Sequence, residues 1–388
     1  MIADNPTAPF ILLDDARPAA GAHARLYCAP DEIVAAYSVG EVEAALDRLT
    51  ALHRAGAYLA GFIAYEAGCA FEPRLRTLPP PADGSPLLWF GAFAGFETIA
   101  GQSVPARLPD PGPARAGPIA PIISQHEYAA AFDSVKRYIR DGDIYQANLT
   151  FRATVSLSGS MPALYAAIRP QAEAGHGALM FTGSDWHLSF SPEAFFALED
   201  GKLSARPMKG TALRGGDPDA DARAIDLLRN DPKQRAENLM IVDLLRNDLS
   251  RVSKAGTVRV PQLFHVETYP TVHQMVSQVE AQLLPGLSAF DVLRRLFPCG
   301  SITGAPKMRA IEIIRQLEAG PRGLYTGSIG HVDPSGDAAF NVAIRTVSVK
   351  KDANTGLIGL GSGIVADSEC QAEWAECFDK GRFLNPVG

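Results

Sequence analysis

The spacing of apolar positions changes several times along the chain, and each change marks a different element. Residues 42–55 repeat their apolar positions at helical spacing, whereas 57–66 and 87–96 are aromatic and apolar runs of strand character. Ser124 followed by Glu127 is a capping-box pattern that opens a helix reaching about residue 140. Beyond it, 145–157 predicts a strand, 162–173 a helix, and 177–181, 186–191 and 194–199 three strands. Helices are expected over 235–249, 289–296 and 308–316, then strands near 325–332, 338–349 and 357–364, and a closing helix over 371–384. Strand clusters broken by helices predict an α+β body with largely antiparallel sheets. No internal repeat or low-complexity tract interrupts the pattern.

One stretch carries no period at all. Residues 101–121 are rich in proline and alanine and read as a connector. The expected organisation is an N-terminal lobe over 1–100, this connector over 101–121, and a main region over 122–388 that shares one core with the lobe.

Composition narrows the function. The 388 residues are 47% apolar and 20% charged with a net charge of −7, which suits a globular protein and argues against nucleic acid as partner. The first ten residues lack the basic and apolar regions of a secretory signal, and no apolar run is long enough to span a bilayer. The five cysteines, Cys28, Cys69, Cys299, Cys370 and Cys377, show no paired zinc spacing. A cytoplasmic protein with reduced thiols is expected.

Several motifs could carry chemistry. Gly300-Ser-Ile-Thr-Gly-Ala-Pro-Lys307 has the outline of a phosphate loop, but Ala305 and Pro306 separate glycine from lysine and Pro306 removes a backbone donor. Neither a dinucleotide fingerprint nor a nucleophile elbow is present. Glu373, Glu376 and Lys380 share one helix face, and Glu237 begins a turn followed by an apolar run, 239–245, expected to be buried. Carboxylates so placed are either a solvated, salt-bridged face or an oxygen-only site that suits Mg²⁺ better than zinc. Lys209, in Arg206-Pro-Met-Lys-Gly-Thr211, is either an exposed loop lysine or a desolvated, neutral nucleophile. Glu193, after Pro192, is either an acid/base group or a surface carboxylate.

Seven stretches, in this order, resemble the chorismate-binding enzyme family, whose members include anthranilate, aminodeoxychorismate, isochorismate and salicylate synthases. They are Ser191-Pro-Glu193, Pro207-Met-Lys-Gly-Thr211, the run from Arg235 to Asp248, the run from Phe297 to Lys307, Ala343-Ile-Arg-Thr346, the run from Gly361 to Ser368, and Glu373 to Lys380. The resemblance covers about 124–384, and Gly61-Phe-Ile-Ala-Tyr-Glu-Ala-Gly68 looks like the ammonia-using component I subunits. It implies an α/β sandwich of antiparallel sheets with the active site between them. Members that aminate chorismate at C4 carry lysine where Lys209 stands, and C2-aminating members usually carry alanine. The catalytic lysine of the water-using members is replaced here by Gln146, which the resemblance places at the substrate. Met208 and Cys299 depart from the common residues, and neither is expected to touch a catalytic atom.

The resemblance further implies Mg²⁺ held by Glu237, Glu376 and Glu373, and a pyruvyl carboxylate paired with Arg345, Tyr325 and the backbone at Gly361 and Gly363. Lys380 would offset the carboxylates or contact substrate, with His273 and Thr303 completing the pocket and Thr211 and Ser301 adding contacts. Lys209 would attack C2 and Glu193 would protonate the leaving hydroxyl, leading to 4-amino-4-deoxychorismate for p-aminobenzoate and folate synthesis. No glutaminase signature or fused lyase is seen, so ammonia is expected from a separate glutaminase subunit, the two forming a heterodimer. The competing expectations are C2 amination with pyruvate loss and a catalytically silent chorismate-binding partner.

Overall fold

The Tyr58–Ile63 strand shows why so many segments read as unbroken apolar runs. Leu59 and Ile63 enter one core while Ala60 and Phe62 enter another, so the strand is buried on both faces. Strands Leu88–Phe93, Asp185–Ser191 and Ser328–Val332 are likewise buried along their whole length in the computed structural model, which describes residues 1–18, 21–75, 84–268 and 272–385. Two ten-stranded sheets lie at its centre. Neighbouring strands run antiparallel throughout.

Three cores separate four layers. Between the sheets, Ile11, Tyr27 and Met180 of the first meet Phe62, Trp89 and Phe93 of the second. Helices Gln125–Arg140, Met161–Ala172 and Lys307–Leu317 pack on the first sheet. Helices Val42–Arg54, Pro232–Ser250 and Ala289–Leu296 pack on the second. This is the expected α+β sandwich. The capping box at Ser124 forms as predicted, with Ser124 and Glu127 each accepting from the other's backbone N–H. No helix among the described residues is long and apolar enough to cross a membrane.

Two local patterns differ from the sequence expectation. The proline-rich stretch ends in a strand, Arg115–Pro121, which among the described residues pairs only with Gln146–Ser158 and with a shifted register. An edge strand tolerates proline because half of its N–H groups have no ladder partner. Residues 338–349 are two strands in different sheets rather than one. Ala338–Asn341 belongs to the second sheet and Thr346–Lys350 to the first, with Arg345 between them at a φ of 51°.

A second crossing lies beside this one. Asp185–Ser191 ends in the first sheet and Ala194–Glu199 begins in the second, so Pro192 and Glu193 span the gap. The crossings bind each other: Val342 N donates to Glu193 O at 3.0 Å, and Phe190 N donates to Arg345 O at 3.0 Å. Ser191 Oγ donates to Val342 O at 2.6 Å.

A buried arginine ties the layers together below. Arg322, 4% exposed, donates to both carboxylate oxygens of Glu318 at 2.7 and 2.9 Å and to the carbonyls of Ile302 and Asn148. Glu318 accepts in turn from Thr150 N and Oγ1 on the first sheet. Glu66, following the Tyr58–Ile63 strand of the second, accepts from Arg322 N and Gly323 N at 2.6 and 3.0 Å. Removing one partner of such a pair strands the other in low dielectric. Arg322→Ala should therefore cost about 3–5 kcal/mol of unfolding free energy. Urea unfolding measures it, and a loss under about 1 kcal/mol would show that Arg322 holds nothing essential.

Candidate active site

The two crossings aim Glu193 and Arg345 into a single cavity of about 1080 Å³, lined by residues of both sheets. A third irregularity adds Lys209. The Met208–Leu213 strand loses register with Val272–Gln282 between Met208 and Thr211, and a bulge of this kind re-aims a side chain. Gly210 makes the bulge possible at a φ of +94°, where a side chain would be strained and its Cβ would lie 3.0 Å from Gln234 Oε1. Gln274 Nε2 donates to Gly210 O at 2.8 Å and Asn238 Nδ2 to Lys209 O at 3.5 Å, fixing the bulged backbone.

One wall is a strand face without side chains. Gly359, Gly361 and Gly363 alternate along Thr355–Ile364 and all border the cavity. A Cβ at Gly359 would overlap the Tyr325 ring at 1.9 Å. At Gly363 it would sit 3.0 Å from Gln146 Nε2 and 3.4 Å from Lys209 Nζ. Gln146 is 1% exposed, and its Nε2 has no hydrogen-bond partner. It stands against the glycine wall without lining the cavity itself.

The electrostatics bring an amine and a carboxyl toward each other. Burial, with the nearby Lys380 charge, lowers Lys209 from the usual lysine range, against the opposing pull of Glu237, Glu193 and Glu376. Burial raises Glu193, against the Ser301 hydrogen bond of 2.7 Å and the charges of Lys209 and Lys380. A base pushed down and an acid pushed up in one cavity is the pairing that acid–base chemistry uses. Arg345 is lowered by burial alone, and no ion pair engages its guanidinium among the described residues. A half-buried guanidinium facing a cavity without an ion-pair partner matches a carboxylate ligand.

Two helices close the rim. Asp231 caps Pro232–Ser250 by accepting from Lys233 N and Gln234 N, which sets Lys233 and Glu237 on the cavity side. Glu373, Glu376 and Lys380 of helix Cys370–Gly381 also line it, as their shared face predicted. Lys380 Nζ pairs with Glu376 at 2.8 Å and donates to Gly361 O at 3.0 Å. Glu237 is raised by burial, with Asp367 and Glu373 adding to the rise. Among the described residues, no three groups converge at metal-ligand spacing. In donor type and mutual repulsion, the carboxylates of Glu237, Glu373 and Glu376 nonetheless suit a hard divalent cation.

Tyr325, Thr211 and Ser301 line the cavity, Thr211 Oγ1 donating to Gln274 Oε1 at 2.9 Å. Three expected residues do not line it: Gln146, His273 and Thr303. His273 is fully buried between Thr268 Oγ1 at 3.0 Å and Asp221 Oδ1 at 3.1 Å, tying helix Pro218–Asn230 to its strand. Thr303, also fully buried, donates to Cys299 O and Gly300 O within its own loop. Lys307 is ion-paired with Asp248 and donates to Leu296 O, so the phosphate-loop outline serves packing. The apolar run after Glu237 is only partly buried, Leu239 being 43% exposed.

Sequence reasoning missed Lys233 and Asn148, both of which line the cavity. Lys233 lies one helical turn before Glu237, and Asn148 lies two residues beyond Gln146 on one strand face, so the periods already applied would have found both. Nothing in the sequence marked Gln274.

Comparison with known proteins places these features in a family context. A family model described as chorismate binding enzyme matches residues 4–386. Aminodeoxychorismate synthase component 1 of Klebsiella aerogenes is 45% identical over 258 residues, 66% of this chain and 57% of that protein. Its namesake from Salmonella typhimurium is 44% identical over 268 residues, 68% of this chain and 58% of that protein. The match thus spans little more than half the length of these relatives. The crystal structure of anthranilate synthase component I from Streptococcus pneumoniae superposes with a TM-score of 0.76 at 25% identity, covering 98% of this chain and 93% of that one.

The depressed Lys209 should be measurable directly. An amine-acylating reagent followed by peptide mass spectrometry should label Lys209 with a midpoint at lower pH than the exposed lysines of the same digest. Lys380→Met removes a positive neighbour, so that midpoint should rise. A midpoint that stays put in the variant would discard the role given to Lys380.

Proposed function

We propose that this chain, which belongs to the chorismate-binding enzyme family, aminates chorismate at C4 to give 4-amino-4-deoxychorismate. The observation that carries the reading is the meeting of Lys209, Glu193 and the uncompensated Arg345 in one cavity. The relatives named aminodeoxychorismate synthase component 1 support it. The resemblance to an anthranilate synthase structure leaves C2 amination as the rival. Lys209 argues against that rival, because a nucleophile occupying C2 directs ammonia elsewhere.

Chorismate offers two carboxylates and a poor leaving group, the C4 hydroxyl. Arg345 and Tyr325 would hold the pyruvyl carboxylate against the glycine wall, whose backbone N–H groups would add donors. Glu237, Glu373 and Glu376 would hold Mg²⁺, whose charge would bind the ring carboxylate and polarise the ring. The free amine of Lys209 would form a bond to C2 as the ring double bonds shift and the C4–O bond breaks. Glu193 would give its proton to the departing hydroxyl, which leaves as water. Ammonia would then bond to C4 as the C2–N bond breaks, releasing Lys209 as a neutral amine, and the new ammonium at C4 would return one proton to Glu193. Two displacements put the new nitrogen at C4. A separate glutaminase subunit would supply the ammonia, and the product would feed p-aminobenzoate and folate synthesis in the cytoplasm.

Incubating the chain with chorismate, Mg²⁺ and ammonium, then identifying the product by mass and ultraviolet spectrum, tests the reading. 4-Amino-4-deoxychorismate is expected from the wild type, and Lys209→Ala should slow its formation by about 10³-fold or more. Glutamine in place of ammonium should support turnover only with the partner subunit added. Anthranilate as the wild-type product, or an alanine variant at full rate, would end the C4 assignment. For the cation, Glu237→Gln and Glu376→Gln should each abolish turnover and weaken Mg²⁺ binding measured calorimetrically. Full activity after chelation would remove Mg²⁺ from the scheme.

A further inference from the structure

Cys299 precedes the short Gly300–Ile302 turn and lies behind the cavity wall, 4% exposed. Its Sγ lies 3.3 Å from Ser301 Oγ, and Ser301 Oγ donates to Glu193 Oε1 at 2.7 Å. Ser301 has a single hydroxyl proton, and Glu193 accepts it. The thiol is then the only donor left for the sulfur–oxygen contact. It keeps its proton, since burial beside the Glu193 charge pushes it up to about 12. Two consecutive contacts therefore join this cysteine to Glu193.

We infer that Cys299 is a positioning residue for Glu193: the thiol fixes the Ser301 rotor, and Ser301 occupies Oε1, so that Oε2 carries and delivers the acid proton. The inference rests on the proposed role of Glu193 as general acid. Three other charges bear on the chain of contacts. Lys209 and Lys380 act on Glu193, and Lys307, held by Asp248, acts on Cys299. None of them sits between the thiol and the hydroxyl. The Ser301 bond favours the ionised carboxylate and so holds Glu193 below the level that burial alone would set. A free Ser301 rotor weakens that bond, and the Glu193 pKa rises.

The test measures ammonia-dependent chorismate consumption by the full chain across pH, at saturating ammonium and Mg²⁺. Cys299→Ala should lower kcat by about 3- to 10-fold with KM for chorismate unchanged. The alkaline limb of kcat should move up by about 0.3 to 1 pH unit. Cys299→Ser keeps a donor and should restore both. Ser301→Ala should show the same limb shift, and adding Cys299→Ala to it should cause no further loss, because the thiol acts only through the hydroxyl. A wild-type pH profile in Cys299→Ala, an additive double variant, or a serine variant no better than alanine overturns the inference. Should Cys299→Ala lose its fold, an unshifted limb in Ser301→Ala overturns it equally. Glu193→Gln separates the two readings: full turnover there removes the general acid itself, whereas lost turnover with an unmoved Cys299→Ala profile removes only the relay.

Discussion

The arrangement depends on a charge that cannot be left alone. Arg322 is buried where the two sheets, the Gly300–Ile302 turn and the Lys307–Leu317 helix meet, and desolvating it is tolerable only because every donor direction finds an acceptor. Glu318 takes two of its N–H groups, the carbonyls of Ile302 and Asn148 take others, and its guanidinium lies 4.4 Å from the Tyr65 ring centroid. Each partner belongs to a different segment. Satisfying the arginine therefore fixes those segments relative to one another. Asn148, whose carbonyl it holds, lines the cavity, and Ile302 adjoins Ser301 and through it Glu193. A hydrophobic contact between sheets tolerates sliding, but a saturated guanidinium does not. The stability of the core and the geometry of the cavity are in this sense one requirement.

The cavity itself balances charge without neutralising it. Glu237 shares one rim helix with Lys233, and Glu373 and Glu376 share the other with Lys380, while Lys209 and Glu193 line the same cavity and Arg345 has no ion-pair partner among the described residues. Were Lys209 to pair tightly with Glu193, both would be held in their charged forms and neither could act as amine or acid. Burial acts on both in the opposite sense. Lys380 reinforces it for the amine, and its own position is set by Glu376 and the Gly361 carbonyl. A rim cation tied to the wall thus helps decide the protonation of a group it does not touch.

The legible part of the sequence was the part that obeys a period. Helices Val42–Arg54, Gln125–Arg140 and Lys307–Leu317 fell close to their expected bounds because an amphipathic stripe or a cap marks them. The interruption at residues 342–345 was invisible, since apolar residues continue through it and only the left-handed φ of Arg345 betrays the crossing. Helix Pro218–Asn230 and the paired strands Arg259–Thr268 and Val272–Gln282 were not anticipated either, being polar on much of their surface. Most candidate site residues came from the resemblance, which supplies residue positions but not side-chain directions. That is why His273 and Thr303 were placed in a pocket from which their hydrogen bonds turn them away.

Those failures and the site share a cause. Regular strands alternate their side chains between two cores and leave no direction free for chemistry, so a sandwich buried on both faces can expose a reactive group only where the alternation breaks. Lys209 uses a bulge, Glu193 and Arg345 use crossings, and the Gly359–Gly363 face uses missing side chains. Each break costs ladder hydrogen bonds or backbone strain, and each is repaired locally: Gln274 and Asn238 hold the bulge, and Ser191 and Val342 hold the crossings. The repairs are polar side chains bonded to backbone, which period-based reading passes over. A search for short polar segments that interrupt an otherwise doubly buried strand would therefore find this site more directly than a search for reactive residue types.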